Sequence, residues 1–213
     1  EISECLVGSE MCIRDRSDGD YPYVRTGVYG ESKNFLPDIV LIKLGTNDTK
    51  PQNWKDEKHF MEEYQTLIDT YRSLDSHPQV ILLTPVRCFL TEKNTISPRI
   101  IEEKVRLVVE QLAYDNGLGI INLHNLFGNQ WDQVIMPDRL HPSSIGAGKM
   151  ARQIGSYLIL TAGCTEQDKA DWLQGKEEFN FHGFCGYQFD CDGAACKLSL
   201  IHISEPTRHS LIS

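Results

Sequence analysis

No basic excess, no apolar run of membrane-spanning length and no C-x-x-C pair occur in this 213-residue chain. Lys and Arg number 21 against 30 Asp and Glu, a formal net charge of -9, which argues against nucleic acid or an anionic membrane as partner. A membrane span needs about 18 consecutive apolar residues, and nothing here approaches that. The opening EISECLVGSE carries acids where a signal peptide needs bases and has no apolar centre, so no export signal is legible. Seven cysteines stand at Cys5, Cys12, Cys88, Cys164, Cys185, Cys191 and Cys196. The number is odd, and only Cys88 falls in the long middle section, which excludes a disulfide framework for a small domain. His182, Cys185, Cys191 and Cys196 read H-x2-C-x5-C-x4-C. Structural zinc sites use tighter cysteine knuckles, and no metal is assigned.

What is present is a globular core, with 40% hydrophobic residues. DIVLIKL at 38–44 predicts a mostly buried strand, with Gly45 at its turn. Phe60, Tyr64, Leu67, Ile68, Tyr71 and Leu74 then recur at helical spacing and make one apolar face. QVILLTPV at 79–86 predicts a second strand, stopped by Pro85. Ile101, Val105, Val108, Val109 and Leu112 predict a second amphipathic helix, ending near Asn116-Gly117. GIINLHNLF at 119–127 predicts a third strand, and Ser143 or Ser144 can cap a last helix with Met150, Ile154, Tyr157 and Leu158. The alternation is that of an α/β fold, a parallel sheet with helices on both faces. Chemistry in such folds gathers at the carboxyl ends of the strands.

The sharpest chemical signal is PDRLHPSS, which sets Asp138 just ahead of His141 on the loop before the last helix. Such a carboxylate can fix the tautomer of a histidine that takes a proton from a serine hydroxyl. Asn47, at the turn after the first strand, can aim its amide at a developing oxyanion. Both segments fall at strand ends, so the topology can bring them to one rim.

LGTND at 44–48 and DRLH at 138–141 resemble the third and fifth blocks of the SGNH hydrolase (GDSL-type esterase) superfamily. The longer PDIVLIKLGTNDTKPQNW, 37–54, is similar to the sialate O-acetylesterase and carbohydrate acetylesterase branch. The resemblance covers roughly residues 20–160. It implies a flavodoxin-type three-layer α/β/α sheet and a cofactor-free serine esterase that acts on a small-molecule or glycan ester. It gives Asp138 and His141 as triad acid and base and Asn47 as oxyanion-hole asparagine, with Gly45 in the same block. Thr46 and Asp48 hold that turn or contact substrate. Asn53, Trp54 and Arg87 are candidates for the substrate rim, with packing or solvated-surface roles as the alternatives. His124 reads as structural within its strand, and His59 and His77 are assigned nothing.

The family's Gly-Asp-Ser nucleophile block and its second block have no counterpart here. Ser3, Ser9, Ser17 and Ser32 do not follow a predicted strand. The expectation is a chain that lacks the first strands of its domain, holds no nucleophile, is inactive alone and leaves one sheet edge bare. A secreted or periplasmic parent is suspected. The competing reading is a non-catalytic carbohydrate-binding or interaction module on the same scaffold. CLVGSEMCIRDR at 5–16 and LSLIHISEPTR at 198–208 resemble translated sequencing-adaptor DNA. The expected organisation is therefore a non-native tail at 1–17, a partial hydrolase domain at 18–162 and a linker at 163–178. A β-hairpin follows at 179–198, resembling the opening of an α/β-hydrolase esterase domain, and a second non-native tail at 199–213.

Overall fold

A computed structural model describes residues 22–91, 96–128 and 131–161, with the backbone of strands β1 (Val7–Gly8), β5 (Asp190–Cys191), β6 (Ala194–Ala195) and β7 (Leu198–Ser204). The expected linker at 163–178, and most of both tails and of the 179–198 hairpin, lie outside the described residues.

Three parallel strands carry the fold: β2 (Ile39–Lys43), β3 (Gln79–Leu83) and β4 (Gly119–Ile121). Val40 stands opposite Val80 and Leu82 opposite Ile120. Strand side chains alternate between faces, and the two resulting sets meet different helices. Val40, Ile42, Val80 and Leu82 pack against helix α2 (Glu57–Arg72) and helix α4 (Arg106–Asn116). Ile39, Leu41, Ile81, Leu83 and Ile121 face helix α6 (Ser144–Thr161) through Met150, Ile154 and Leu158. Near-continuous apolar strands are what a sheet covered on both faces requires. The α2 face predicted from its period is buried at Phe60, Tyr64, Leu67, Ile68 and Tyr71, while Leu74 lies past the helix end and packs alongside. Ahead of α4 come a single turn, α3 (Pro98–Ile100), capped by Ser97, and a π-helical turn over Ile101–Val105.

Three findings depart from the sequence reading. The first is the length of β4, which stops at Ile121 although the apolar pattern runs on to 127. Thr84 ends it: its Oγ1, fully buried, accepts hydrogen bonds from the N–H groups of Leu123 (2.9 Å) and His124 (3.0 Å). A side chain therefore takes donors that a longer ladder would have used, and His124 sits in a turn, outside any strand alternation. The second is helix α1 (Gly27–Asn34), which the sequence reading did not assign. Its apolar period is weak, and it forms through the Thr26 cap, which accepts from Tyr29 N, and through packing. There Ser32 is buried with its Oγ 2.6 Å from Tyr71 Oη, while Tyr71 and Tyr23 hydroxyls are 2.8 Å apart. The third is the free edge of β2. β7 lies parallel on it, with Leu41 opposite Leu200, and β1 pairs with β7, giving the order β1-β7-β2-β3-β4. An edge presents an unpaired row of N–H and C=O groups, and LSLIHIS is rich in the β-branched and apolar residues that suit a strand. The edge expected to be bare is covered. β5 and β6 form a separate antiparallel pair, Cys191 opposite Ala194.

Thr84→Val keeps shape and burial but leaves two backbone N–H groups without an acceptor. It should lower the urea-unfolding free energy by about 2 kcal/mol or more, against about 0.5 kcal/mol or less for Thr66→Val on the exposed face of α2.

Candidate active site

Just past β2, Leu44 is buried in the core, and the chain then turns at Gly45 with φ +113°. An L side chain rarely adopts that conformation, and a Cβ there would also overlap Val105 Cγ1 and press on the Phe60 ring. The turn continues into a 3-10 helix, Asn47–Thr49, all of it buried. The carbonyls at its start are doubly used: Thr46 O accepts from Thr49 N (3.2 Å) and Thr49 Oγ1 (2.8 Å). Asn47 O accepts from Lys50 N (3.2 Å) and Asn53 Nδ2 (3.0 Å). Asn53 is thus buried beneath the turn and fixes the Asn47 backbone, rather than lining an open rim. Trp54 packs on Phe60 with ring centroids 5.9 Å apart, as a core anchor. At the end of β2, burial pushes the Lys43 ammonium down to about 8.

The second segment is a loop closed at its base. Ile135 and Pro142 form an antiparallel bridge, Met136 N donates to His141 O (2.7 Å), and Ser143 N donates to Val134 O (2.9 Å). Helix α5 (Trp131–Val134) lies against the start of α6 so closely that a Cβ on Gly146 would run into Val134 O. At the loop tip Asp138 serves three donors. Oδ1 accepts from Leu140 N and His141 N, both at 3.0 Å, and Oδ2 accepts from His141 Nδ1 at 2.5 Å. An ionised carboxylate only accepts, so Nδ1 carries the proton and the neutral imidazole has its basic lone pair at Nε2. Partial burial pushes the Asp138 carboxyl upward, but the bonds from His141 and from the two N–H groups outweigh it and hold it below the usual carboxylate range.

The stretch between β3 and α4 touches both segments. Leu140 packs on a small cluster of Cys88, Ile96 and Ile101, and the neighbouring Ser97 N donates to Thr49 Oγ1 (3.1 Å) in the Asn47 turn. Phe89 N, on the segment after β3, donates to Arg139 O (2.9 Å). Burial pushes the Cys88 thiol in that cluster up to about 11, so it packs as a small apolar group. Arg87 is part-exposed, 3.3 Å from Glu102 Oε2 and 5.9 Å from the Phe89 ring centroid. His124 Nδ1 meets Pro85 O at 3.2 Å, and burial lowers its pKa. His59 lies 3.0 Å from Glu63 on α2. Sequence reasoning passed over Thr49, Phe89, Trp131 and Arg139. Trp131 was detectable as an aromatic shortly before PDRLH; the others depend on contacts that no periodicity records.

Gly45→Ala combines an unfavourable backbone with overlap against Val105. It should cost about 3 kcal/mol in denaturant unfolding and deplete soluble protein.

The GDSL-like lipase/acylhydrolase family model matches residues 16–149, a range that includes both the Asn47 turn and the Asp138–His141 loop. An acetylxylan esterase of Xylanibacter ruminicola is 32% identical over 157 residues, covering 66% of this chain and 32% of that protein. The chain therefore spans about a third of that curated relative's length. The crystal structure of a lipase/acylhydrolase from Enterococcus faecalis shares the fold with TM-score 0.51 at 22% identity, over 63% of this chain and 65% of that one. A carbohydrate esterase family 3 structure from Talaromyces cellulolyticus does so with TM-score 0.52 at 24% identity, over 64% of each chain. With its α/β sheet and both segments inside the matched range, the chain belongs to the GDSL-like lipase/acylhydrolase family.

Proposed function

We propose that the parent protein of this chain is a carbohydrate O-acetylesterase working through a serine acyl-enzyme. Its serine lies in a segment that this chain does not hold. The Asp138–His141 bond carries the reading, because it has the partner atoms and tautomer that general-base catalysis needs. His141 Nε2 takes the proton as the serine Oγ attacks the acetyl carbonyl. Asn47 then faces the oxyanion of the tetrahedral intermediate. Collapse breaks the bond to the sugar oxygen, and His141 returns the proton to it. Water repeats the sequence on the acyl-enzyme and releases acetate. The acetylxylan esterase relative supports a sugar ester as substrate.

Two serines among the described residues, Ser32 in the α1 hydroxyl cluster and Ser143 beside the His141 loop, are committed elsewhere, which supports an external nucleophile. Ser32 Oγ is shared with Tyr71 and donates to Tyr29 O (2.9 Å). Ser143 Oγ donates to Gln133 O (2.9 Å) and accepts from Gly146 N (3.2 Å) as the cap of α6.

The parent should release acetate from acetylated xylan, O-acetylated sialic acid or a chromogenic acetyl ester, and the ranking among these gives the substrate class. His141→Ala should lower kcat by about three orders of magnitude or more, and Asn47→Ala by about two. Absence of turnover on every ester would end the proposal and favour the binding module. The 213-residue chain alone should remain at background. Turnover that His141→Ala abolishes would place the nucleophile within it.

Asp138 also sets a pH dependence. Its folded pKa lies below its unfolded value, so the pairing adds stability above the ordinary carboxylate range and loses it as pH falls through the folded pKa. Asp138→Asn should therefore flatten the acid limb of the stability profile measured by urea midpoints from pH 7 downward.

A further inference from the structure

Arg139 has φ +62°. That left-handed region is disfavoured for a residue with a Cβ and is left mostly to Gly, Asn and Asp. An arginine there must be held by something, and the contacts close a ring around it. Its N donates to Met136 O (2.9 Å) and its O accepts from Phe89 N (2.9 Å). The Phe89 ring stacks on Trp131 with centroids 5.5 Å apart and 24° between planes. The Arg139 guanidinium lies over the same Trp131, 5.2 Å from its centroid. Trp131 therefore meets both Phe89 and Arg139, and residue 139 is held by backbone and side chain at once. Arg139 is also flanked by Asp138 and stands between that carboxylate and the Leu140 and His141 N–H groups it accepts. If residue 139 left the left-handed region, those two N–H groups would swing away from Asp138 Oδ1. The His141 ring would then lose its fixed distance from Oδ2.

We propose that Arg139 is a positioning residue: its guanidinium, laid on Trp131, holds the backbone turn by which Asp138 orients His141. The inference rests on Asp138 and His141 being the acid–base pair, and it acts through them, with no contact to substrate required. A flat guanidinium suits the layer over the indole better than an ammonium, and either is better than no cation.

The test is solvent exchange of the His141 Nδ1 proton in the full chain, followed by 15N-resolved NMR and assigned by its loss in His141→Ala. Arg139→Ala should speed the exchange about fivefold, and Arg139→Lys should stay within about twofold of the unaltered protein. Arg139→Gly should resemble the alanine variant, because it frees the backbone without restoring the contact. Amide protection in α2, measured on the same samples, reports whether the fold is intact. Should Arg139→Ala unfold the chain, Trp131→Phe against Trp131→Leu asks the same question, with slow exchange expected for the first and fast for the second. Unchanged exchange in a folded Arg139→Ala or Trp131→Leu would overturn the proposal. So would Arg139→Gly matching the unaltered protein while alanine does not, since backbone strain alone would then be the cause. None of these readings requires ester turnover, so an inactive parent would contradict the esterase reading and leave this one standing.

Discussion

One carboxylate organises the Asp138–His141 loop. Asp138 accepts three donors with two oxygens, two of them backbone N–H groups and the third the His141 ring. The backbone bonds fix the carboxylate, so the ring bond is made to a group that cannot swing away. A charge-assisted bond to a pre-fixed acceptor loses less side-chain freedom than a bond between two mobile partners, which suits a pair that is partly solvent-exposed. It also keeps Asp138 ionised, as the proposed role of orienting His141 requires.

The rest of the fold keeps this loop in register with the Asn47 turn. The side chains of the strands alternate between two apolar layers, and the strands that precede the two segments, β2 and β4, run parallel in one sheet. Between them lies the cluster of Cys88, Ile96 and Ile101, touched by Leu140 and bonded through Ser97 to Thr49. Packing at crystal-like density transmits small displacements, so a change in this cluster is felt on both sides. Gly45 and Gly146 mark the points where backbone approaches leave no room for a side chain.

Much of this was legible in the amino-acid order. The β2 and β3 runs and the period of α2 and α4 follow from burial patterns, and Phe60, Tyr64, Val105 and Val109 lie in the core as their spacing requires. What escaped had local causes. β4 is short because Thr84 takes two N–H groups, a tertiary bond between residues far apart in sequence. Helix α1 has too weak an apolar period to be read, and its hydroxyl cluster with Tyr71 appears only once the chain is folded. Asn53 and Trp54 read from sequence as candidates for the substrate rim, with packing as the alternative for Trp54; one fixes the Asn47 carbonyl and the other packs on Phe60. Arg139 was invisible, since nothing in DRLH announces a left-handed arginine.

The central claim is that His141, oriented by Asp138, activates a serine nucleophile in the parent. Labelling the parent with a fluorophosphonate and locating the adduct by mass spectrometry tests it most directly. The account predicts one phosphonylated serine, outside the 213 residues of this chain, formed at a rate that collapses in both His141→Ala and Asp138→Ala. Labelling that proceeds unchanged in those variants, or that falls on Ser32 or Ser143, would contradict it.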